Sequence, residues 1–286
     1  MKSHDGFAGS SSGTLATDPP VLHRNGERTS SARDETLDTL FDGKVRILQS
    51  RAGYRFSLDA LLLAHFVTIK GREKIADLGT GNGAIPLVLA YLHPSVTLTG
   101  VELQPAMIKR ARRNVQLNGL QRRIQILSGD VRAGERLAAA ATFDVAVCNP
   151  PYRKPNSGRI SPNDERQIAR HETQSELGDF LRTGAFLLRP KGRMAIVYSA
   201  ERCIDLLSAM REARIEPKRM RMVHSFAGVE ASLVLVEGVK GGRSGVEVLA
   251  PLTIYLRGKE YTKEVAAMIA GTGRGRVQSS MFKVQG

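Results

Sequence analysis

Between Lys74 and Ala213, short apolar runs alternate with helical segments, and this alternation leaves few folds open. The runs are Ile75–Leu78, Val96–Val101, Ile124–Leu127, Phe143–Cys148 and Arg193–Tyr198. Between and after them, Ala84–Leu92, Pro105–Asn118, Leu177–Leu188 and Arg202–Ala213 read as helices. A strand that is followed by a helix and then another strand needs a crossover, so such strands lie parallel in one sheet. Phe143–Cys148 is a continuous apolar run, as a strand buried on both faces requires. Pro86 is tolerable because it falls in the first turn of its helix. In Pro105–Asn118 the spacing turns Met107, Ala111, Val115 and Leu117 inward and Arg110, Arg112 and Arg113 outward. Two later runs, Arg219–His224 and Ser232–Val236, have no helix between them and can pair antiparallel. The expected fold is α/β: a doubly wound Rossmann-like sheet, mostly parallel, with an antiparallel final strand pair.

The flanks divide the chain further. Residues 1–34 contain SSSG, a Pro pair and few apolar residues, and read as a disordered extension. Residues 35–73 form a lead-in segment with a strand-like stretch at Val45–Gln49, and a helix over Leu58–Val67 with Ser57 as its N-cap. The core spans 74–238. Residues 239–286 form a basic, glycine-rich C-terminal extension, with a strand at Pro251–Leu256, a short helix at Tyr261–Ile269 and a loose last dozen residues. The two cysteines, Cys148 and Cys203, exclude a disulfide scaffold and carry no zinc spacing. No apolar run reaches the roughly 18 residues of a membrane helix. The expectation is a cytoplasmic protein with no membrane partner and no metal. A net charge of +14 favours a polyanionic partner, because neutralising phosphates releases counterions.

The first strand runs into Asp77-Leu-Gly79-Thr-Gly81-Asn-Gly83 and then a helix. Glycines there let the backbone approach a bound cofactor and adopt torsions that other residues resist. Glu102 ends the second strand, where an acid can accept both ribose hydroxyls of a nucleoside. With Ala84 the loop also satisfies the dinucleotide pattern, so alone it does not choose between S-adenosylmethionine and NAD. Asp130 follows the third strand, where a carboxylate can accept from an adenine amino group; a turn Asp capping the next segment is the plainer alternative.

The most specific signal is Asn149-Pro150-Pro151-Tyr152, directly after the fourth strand. Ligands of doubly wound folds bind at the carboxyl ends of the strands. A planar amino group, on adenine N6 or a glutamine amide, is a poor nucleophile because its lone pair is delocalised. The Asn149 side-chain oxygen and the Pro150 carbonyl can hold its two hydrogens, aim the lone pair at an electrophilic methyl and stabilise the charge that develops on nitrogen. The Pro150-Pro151 pair fixes the backbone, and Tyr152 offers a ring against which to stack a displaced base.

DLGTGNG, the Glu102 strand end and NPPY resemble the amino-group class of S-adenosylmethionine-dependent methyltransferases. GYRFSLDALLLA (53–64), NPPYRKPNSGRISPNDERQIARHE (149–172) and HSFAGVEASLVLVEG (224–238) resemble the bacterial tRNA1(Val) adenine N6-methyltransferase family in particular. The similarity covers roughly 40–270. It implies S-adenosylmethionine as cofactor and, as acceptor, the adenine 3′ of the anticodon in a valine tRNA. It implies that Asp77, Gly79, Gly81, Gly83, Glu102, Asp130 and Asn149 bind the cofactor, with Phe56 and Asp59 near it. Asn149, Pro150, Pro151 and Tyr152 would hold the base. Residues 1–34 have no counterpart, and Ser225 stands where the pattern has proline.

After Tyr152 come Arg153, Lys154, Arg159, Arg166 and Arg170, placed to meet RNA phosphates at the mouth of the site. Two further basic clusters are Lys109, Arg110, Arg112, Arg113, Arg122 and Arg123, and Lys218, Arg219 and Arg221. His171, without partners at ligand spacing, reads as structural. Two other functions remain to be weighed. A release-factor glutamine N5-methyltransferase shares the NPPY logic but carries a helical substrate domain ahead of its core. A non-catalytic RNA-binding protein would not need the glycine loop, Glu102 and NPPY together. A DNA adenine methyltransferase usually needs a large recognition insert, which this chain does not show. The oligomeric state cannot be read from the sequence.

Overall fold

The computed structural model describes residues 35–51, 58–150 and 177–272. The extension 1–34, the Ser57 cap and the last dozen residues lie outside that range. A hairpin comes first: β1 (Glu35–Leu40) and β2 (Val45–Ser50) pair antiparallel. Then follow α1 (Leu58–Phe66), β3 (Lys74–Leu78), α2 (Ala84–Leu92), β4 (Thr97–Glu102), α3 (Pro105–Leu117) and β5 (Ile124–Ser128). Next are α4 (Gly134–Leu137), β6 (Phe143–Cys148), α5 (Leu177–Leu187), β7 (Leu188–Ser199), α6 (Cys203–Glu212), β8 (Ile215–His224) and β9 (Ala231–Lys240). The last described elements are β10 (Glu247–Val248), β11 (Leu252–Thr253), β12 (Tyr255–Arg257), β13 (Glu260–Tyr261) and α7 (Lys263–Ala270).

Among the described residues the central sheet has nine strands, in the order β10-β8-β9-β7-β6-β3-β4-β5, with β11 also on β8. The neighbouring pairs from β5 to β7 are parallel, and β9 runs antiparallel between β7 and β8. This is the doubly wound sheet with an antiparallel final pair that the alternation of elements predicts. The strand order reverses beside β3, between β4 and β6. A crevice opens there at the carboxyl ends, which is where such folds bind ligands.

Side chains alternate across the sheet with period two. Val145, Val147, Ala195, Val197, Leu233 and Leu235 enter one core, with α1, α2, α3 and α7. Ala146, Cys148, Met194, Ile196, Val234 and Val236 enter the other, with α5 and α6. The two sides of the sheet are thus both covered, and the strands need no polar face. The hairpin residues Leu40, Phe41, Val45 and Ile47 belong to the first core, as do Leu252, Ile254 and Val265 of the C-terminal segment. Phe41 stacks on Tyr91, with ring centroids 4.3 Å apart. Arg221, buried, pairs with Glu264 at 2.7 and 2.9 Å and ties α7 to the sheet.

Four local expectations need correction. β1 is absent from the sequence reading, because ETLDTL has no clean alternation and gains its strand only from its β2 partner. Arg110 does not point outward: it is buried, and its Nε meets Glu35 Oε1 at 3.1 Å while Arg113 takes Oε2 at 2.7 Å. That partner stands 75 positions away, beyond any helical periodicity. β8 starts at Ile215 and runs through Pro217, where the register against β9 shifts and absorbs the missing N–H. The single strand foreseen at Pro251–Leu256 divides: β11 extends the large sheet, whereas β12 turns back against β13.

Candidate active site

The glycine loop closes the β3 edge of the crevice. The Val101 carbonyl accepts from both Gly79 and Thr80 N–H, each at 2.9 Å, so the loop folds over the end of β4. Gly79 (φ +74°) lies where a Cβ would come within 3.1 Å of the Phe180 ring. Gly83 (φ +84°) caps α2 in the left-handed region, which a branched side chain resists. A Cβ at Gly100 would strike the Thr80 side chain at 2.8 Å, so β4 is notched to seat it.

Glu102 is buried, and three backbone N–H groups hold its carboxylate. Gly81 donates to Oε2 at 2.8 Å; Leu103 and Gln104 each donate to Oε1 at 2.9 Å. The charge is fixed in place, and Oε2, with a single N–H donor, retains acceptor capacity for a ribose hydroxyl. Asp77 differs. It is fully buried, and neither of its oxygens meets a hydrogen-bond partner among the described residues. Thr80 Oγ1 and Asn82 Nδ2, on the same loop, are likewise buried without partners. Burial pushes the Asp77 carboxyl up to about 7; the nearby Thr80 hydroxyl offsets this in part without closing a bond of normal geometry, and the Glu102 charge adds to it. The neighbouring Cys148 thiol is pushed up by burial first and by Asp77 second.

Orphaned polar atoms beside a glycine cradle ask for a ligand. The donor set fits S-adenosylmethionine: a buried carboxylate for a cationic group, an anchored carboxylate for ribose, and backbone that approaches closely. Asp130 fits less openly. It caps the short 3-10 turn Val131–Ala133, and its two oxygens take the Arg132 guanidinium at 2.5–3.0 Å. The side-chain hydrogen bond from Arg132 holds the Asp130 carboxyl below its usual range. Capping and adenine recognition can coexist, since a carboxylate offers about four acceptor sites.

Asn149 follows β6 directly and is half-buried; Pro150 is buried. Pairing of β6 with β3, Cys148 opposite Leu78, sets Asn149 beside the glycine loop. Phe56, Pro151, Tyr152, Arg153, Lys154, Arg159, Arg166 and Arg170 lie outside the described residues, as does His171. Asp59 sits in the first turn of α1 and is half-buried.

Two of the basic clusters are largely spent inside the fold. Arg112 donates to the Ile126 carbonyl at 3.1 Å, and Arg123 to the Ala90, His93 and Val96 carbonyls at 2.7–3.2 Å. Arg219 pairs with Glu237 and lies 4.9 Å over the Phe66 ring, while Lys218 donates to the Arg243 carbonyl at 3.1 Å.

Sequence reasoning missed Asn114. Fully buried on α3, it accepts from Leu48 N–H at 2.7 Å and donates to the Leu48 and Asn82 carbonyls at 3.1 and 2.9 Å. Asn118, one turn on, does the same for Arg46, accepting at 2.9 Å and donating at 2.7 Å. The helical i,i+4 step matches alternate residues of β2, so two asparagines satisfy the free edge of the hairpin while one of them also holds the glycine loop. The available signal was a polar residue on the inward face of an amphipathic helix. Asn114→Ala should lower stability by about 2–3 kcal/mol, measured by urea unfolding, since it orphans buried backbone groups. Cofactor affinity should fall with it; a native unfolding curve would deny the residue this role.

The family model described as "Methyltransferase small domain" matches residues 58–214. A Tolumonas auensis protein named tRNA1(Val) (adenine(37)-N6)-methyltransferase is 30% identical over 185 residues, covering 62% of this chain and 76% of that one. A Porphyromonas gingivalis protein of the same name is 33% identical over 163 residues, covering 56% of this chain and 63% of that one, less than two thirds of its length. Among solved structures, a predicted O-methyltransferase from Agrobacterium tumefaciens superposes with a TM-score of 0.63 at 25% identity, over 75% of this chain and 96% of that one.

Proposed function

The chain belongs to the methyltransferase small-domain family, which makes it an S-adenosylmethionine-dependent methyltransferase, and from that premise we propose that it methylates the exocyclic N6 of an adenine in tRNA. The observation that carries this reading is the placement of Asn149 and Pro150 at the end of β6, beside a cradle with an unpartnered buried carboxylate. The names of the relatives support a valine tRNA and its adenine 3′ of the anticodon. A cytoplasmic location goes with such a substrate. Among the described residues no helix is long and apolar enough to cross a membrane.

When bound, S-adenosylmethionine supplies an electrophilic methyl carried on positively charged sulfur. Glu102 would anchor its ribose, and Asp77 would offer a carboxylate to its cationic end. Asn149 Oδ1 and the Pro150 carbonyl accept the two amino hydrogens. Held this way, the nitrogen lone pair leaves conjugation with the ring and points along the line of displacement. The same two acceptors stabilise the positive charge that grows on nitrogen, and they do so most strongly in the transition state. The released proton passes to water, so no strong base is needed. Phe56 and Asp59 extend the cofactor site in this reading. Pro151 and Tyr152 complete the base site, and Arg153, Lys154, Arg159, Arg166 and Arg170 meet the RNA backbone.

The test is incubation with methyl-labelled S-adenosylmethionine and total tRNA, duplex DNA or release factor. Label should enter tRNA and be recovered as N6-methyladenosine. Label confined to the protein fraction would overturn the proposal in favour of glutamine methylation.

A further inference from the structure

β8 runs parallel to β6, so its end, His224, opens on the same rim of the sheet as Asn149. Laterally the two ends are three strand spacings apart, about 14 Å, and by register His224 stands three residues, about 10 Å, beyond the level of Asn149. The turn after β8 carries Phe226. β11 runs alongside β8, Leu252 opposite Val223, and the chain then rises past that end, where Tyr255 N–H donates to the Ser225 carbonyl at 2.9 Å. Phe226, Tyr255 and Tyr261 form a row of rings: Phe226 to Tyr255 is 5.6 Å between centroids, and Tyr255 to Tyr261 is 5.2 Å.

The three rings are not equivalent. Tyr255 and Tyr261 pack against the first core, and burial pushes the Tyr261 hydroxyl up to about 12. Phe226 belongs to neither core cluster and rests on Tyr255 from outside. Its turn is fixed, because His224 Nδ1 and the Val229 carbonyl lie 2.7 Å apart. A hydrophobic ring held in place at the rim, half-buried and outside the core, has no evident structural task. The hairpin beneath it exposes Arg257 and Lys259, and Lys263 follows; Glu230 and Glu260 are the acids on these segments. Arg257 and Lys263 make no ion pair among the described residues. Glu264 is exposed but spends its charge on the buried Arg221.

Resting on the tRNA reading above, we propose that Phe226, backed by Tyr255, is a stacking platform for an unpaired base of the RNA that presents the target adenine. Arg257 and Lys263 contact the adjoining phosphates. Unstacked loop bases are the part of an RNA that aromatic side chains recognise, and stacking tolerates any base because each has a π-face. The platform would hold the loop while the adenine enters the site at Asn149, three strands across the sheet.

The test uses the full chain with fluorescein-labelled total tRNA, followed by anisotropy. Phe226→Leu keeps apolar packing on Tyr255 and removes the π-face. It should weaken RNA binding about ten-fold, with cofactor affinity and melting temperature unchanged. Phe226→Tyr should restore binding. The slope of log affinity against log salt should stay the same in Phe226→Leu, whereas Arg257→Ala should flatten it by about one. Wild-type affinity in Phe226→Leu overturns the platform and leaves the tRNA reading standing. So does equal loss in the Leu and Tyr variants, since the Tyr ring can still stack. A parent protein that neither binds nor labels tRNA takes down both.

Discussion

Asn149→Ala is expected to lower the rate of methyl transfer by about 100- to 1,000-fold while cofactor affinity stays within a few-fold of the parent. The split follows from when the interaction matters. Before reaction the adenine amino group is neutral and planar, and its hydrogen bond to Asn149 Oδ1 resembles one it would make with water. In the transition state charge grows on nitrogen, and its N–H groups become stronger donors. An acceptor fixed at the end of β6 needs no reorganisation to meet them, and removing it costs about 3–4 kcal/mol of transition-state stabilisation. Under the proposed function the β3 loop and Glu102 would hold the cofactor, and the substitution leaves their hydrogen bonds untouched. Asn149→Asp keeps an acceptor oxygen at the same place, so it should retain more activity than the Ala variant. Single-turnover rates together with cofactor titration separate the two quantities. An unchanged single-turnover rate in Asn149→Ala would remove the residue from the chemistry.

The sheet was legible because burial on both faces leaves its mark in short, continuous apolar runs. The motifs were legible because they stand at strand ends, where side-chain roles depend on local order: Glu102 closes β4 and Asn149 follows β6. What escaped were properties settled by partners distant in sequence. Arg110 reads as a solvent residue until Glu35 is placed beside it. Arg219 and Arg221 read as a basic patch until Glu237 and Glu264 take their charges. β1 has no pattern of its own, and β8 contains a proline that argues against a strand until the bulge at Pro217 is seen. Net charge is therefore a poor guide to an RNA surface. Several of the cations that suggested one hold the fold together instead. Asn114 shows the converse, since a residue that looked like one more polar helix position holds both the hairpin and the loop.

Asp77→Asn should make the cofactor-free protein more stable and its cofactor binding weaker, and both effects should depend on pH. The folded carboxyl titrates near 7, against 3.8 for the free group. An acid whose folded value is raised keeps its proton in the fold while the unfolded chain has lost it. The contribution of Asp77 to stability is therefore greatest below about pH 4, falls as pH rises through the window from 4 to 7, and levels off above. Across that window the cost is roughly 4 kcal/mol, the price of a buried charge without a partner. Asn removes the charge but leaves a polar amide to satisfy, so about 2 kcal/mol of gain at pH 8 is a reasonable expectation, or a rise in Tm of several degrees. At pH 5 the two proteins should melt much closer together. Binding runs the other way. A cationic ligand favours the ionised carboxylate, so its affinity for the parent should rise between pH 6 and 8 with release of a proton, and should be flat and at least ten-fold weaker at pH 8 in the variant. Calorimetric titration in buffers of different ionisation enthalpy reads that proton directly. If the variant were less stable at pH 8 and bound cofactor with the parent's pH profile, Asp77 would be a structural residue and the unpartnered carboxylate would have to be explained without the cofactor. Under the proposed function the buried charge is an instability kept for the ligand, since a chain folding without one would be better served by an amide or an apolar side chain at that position.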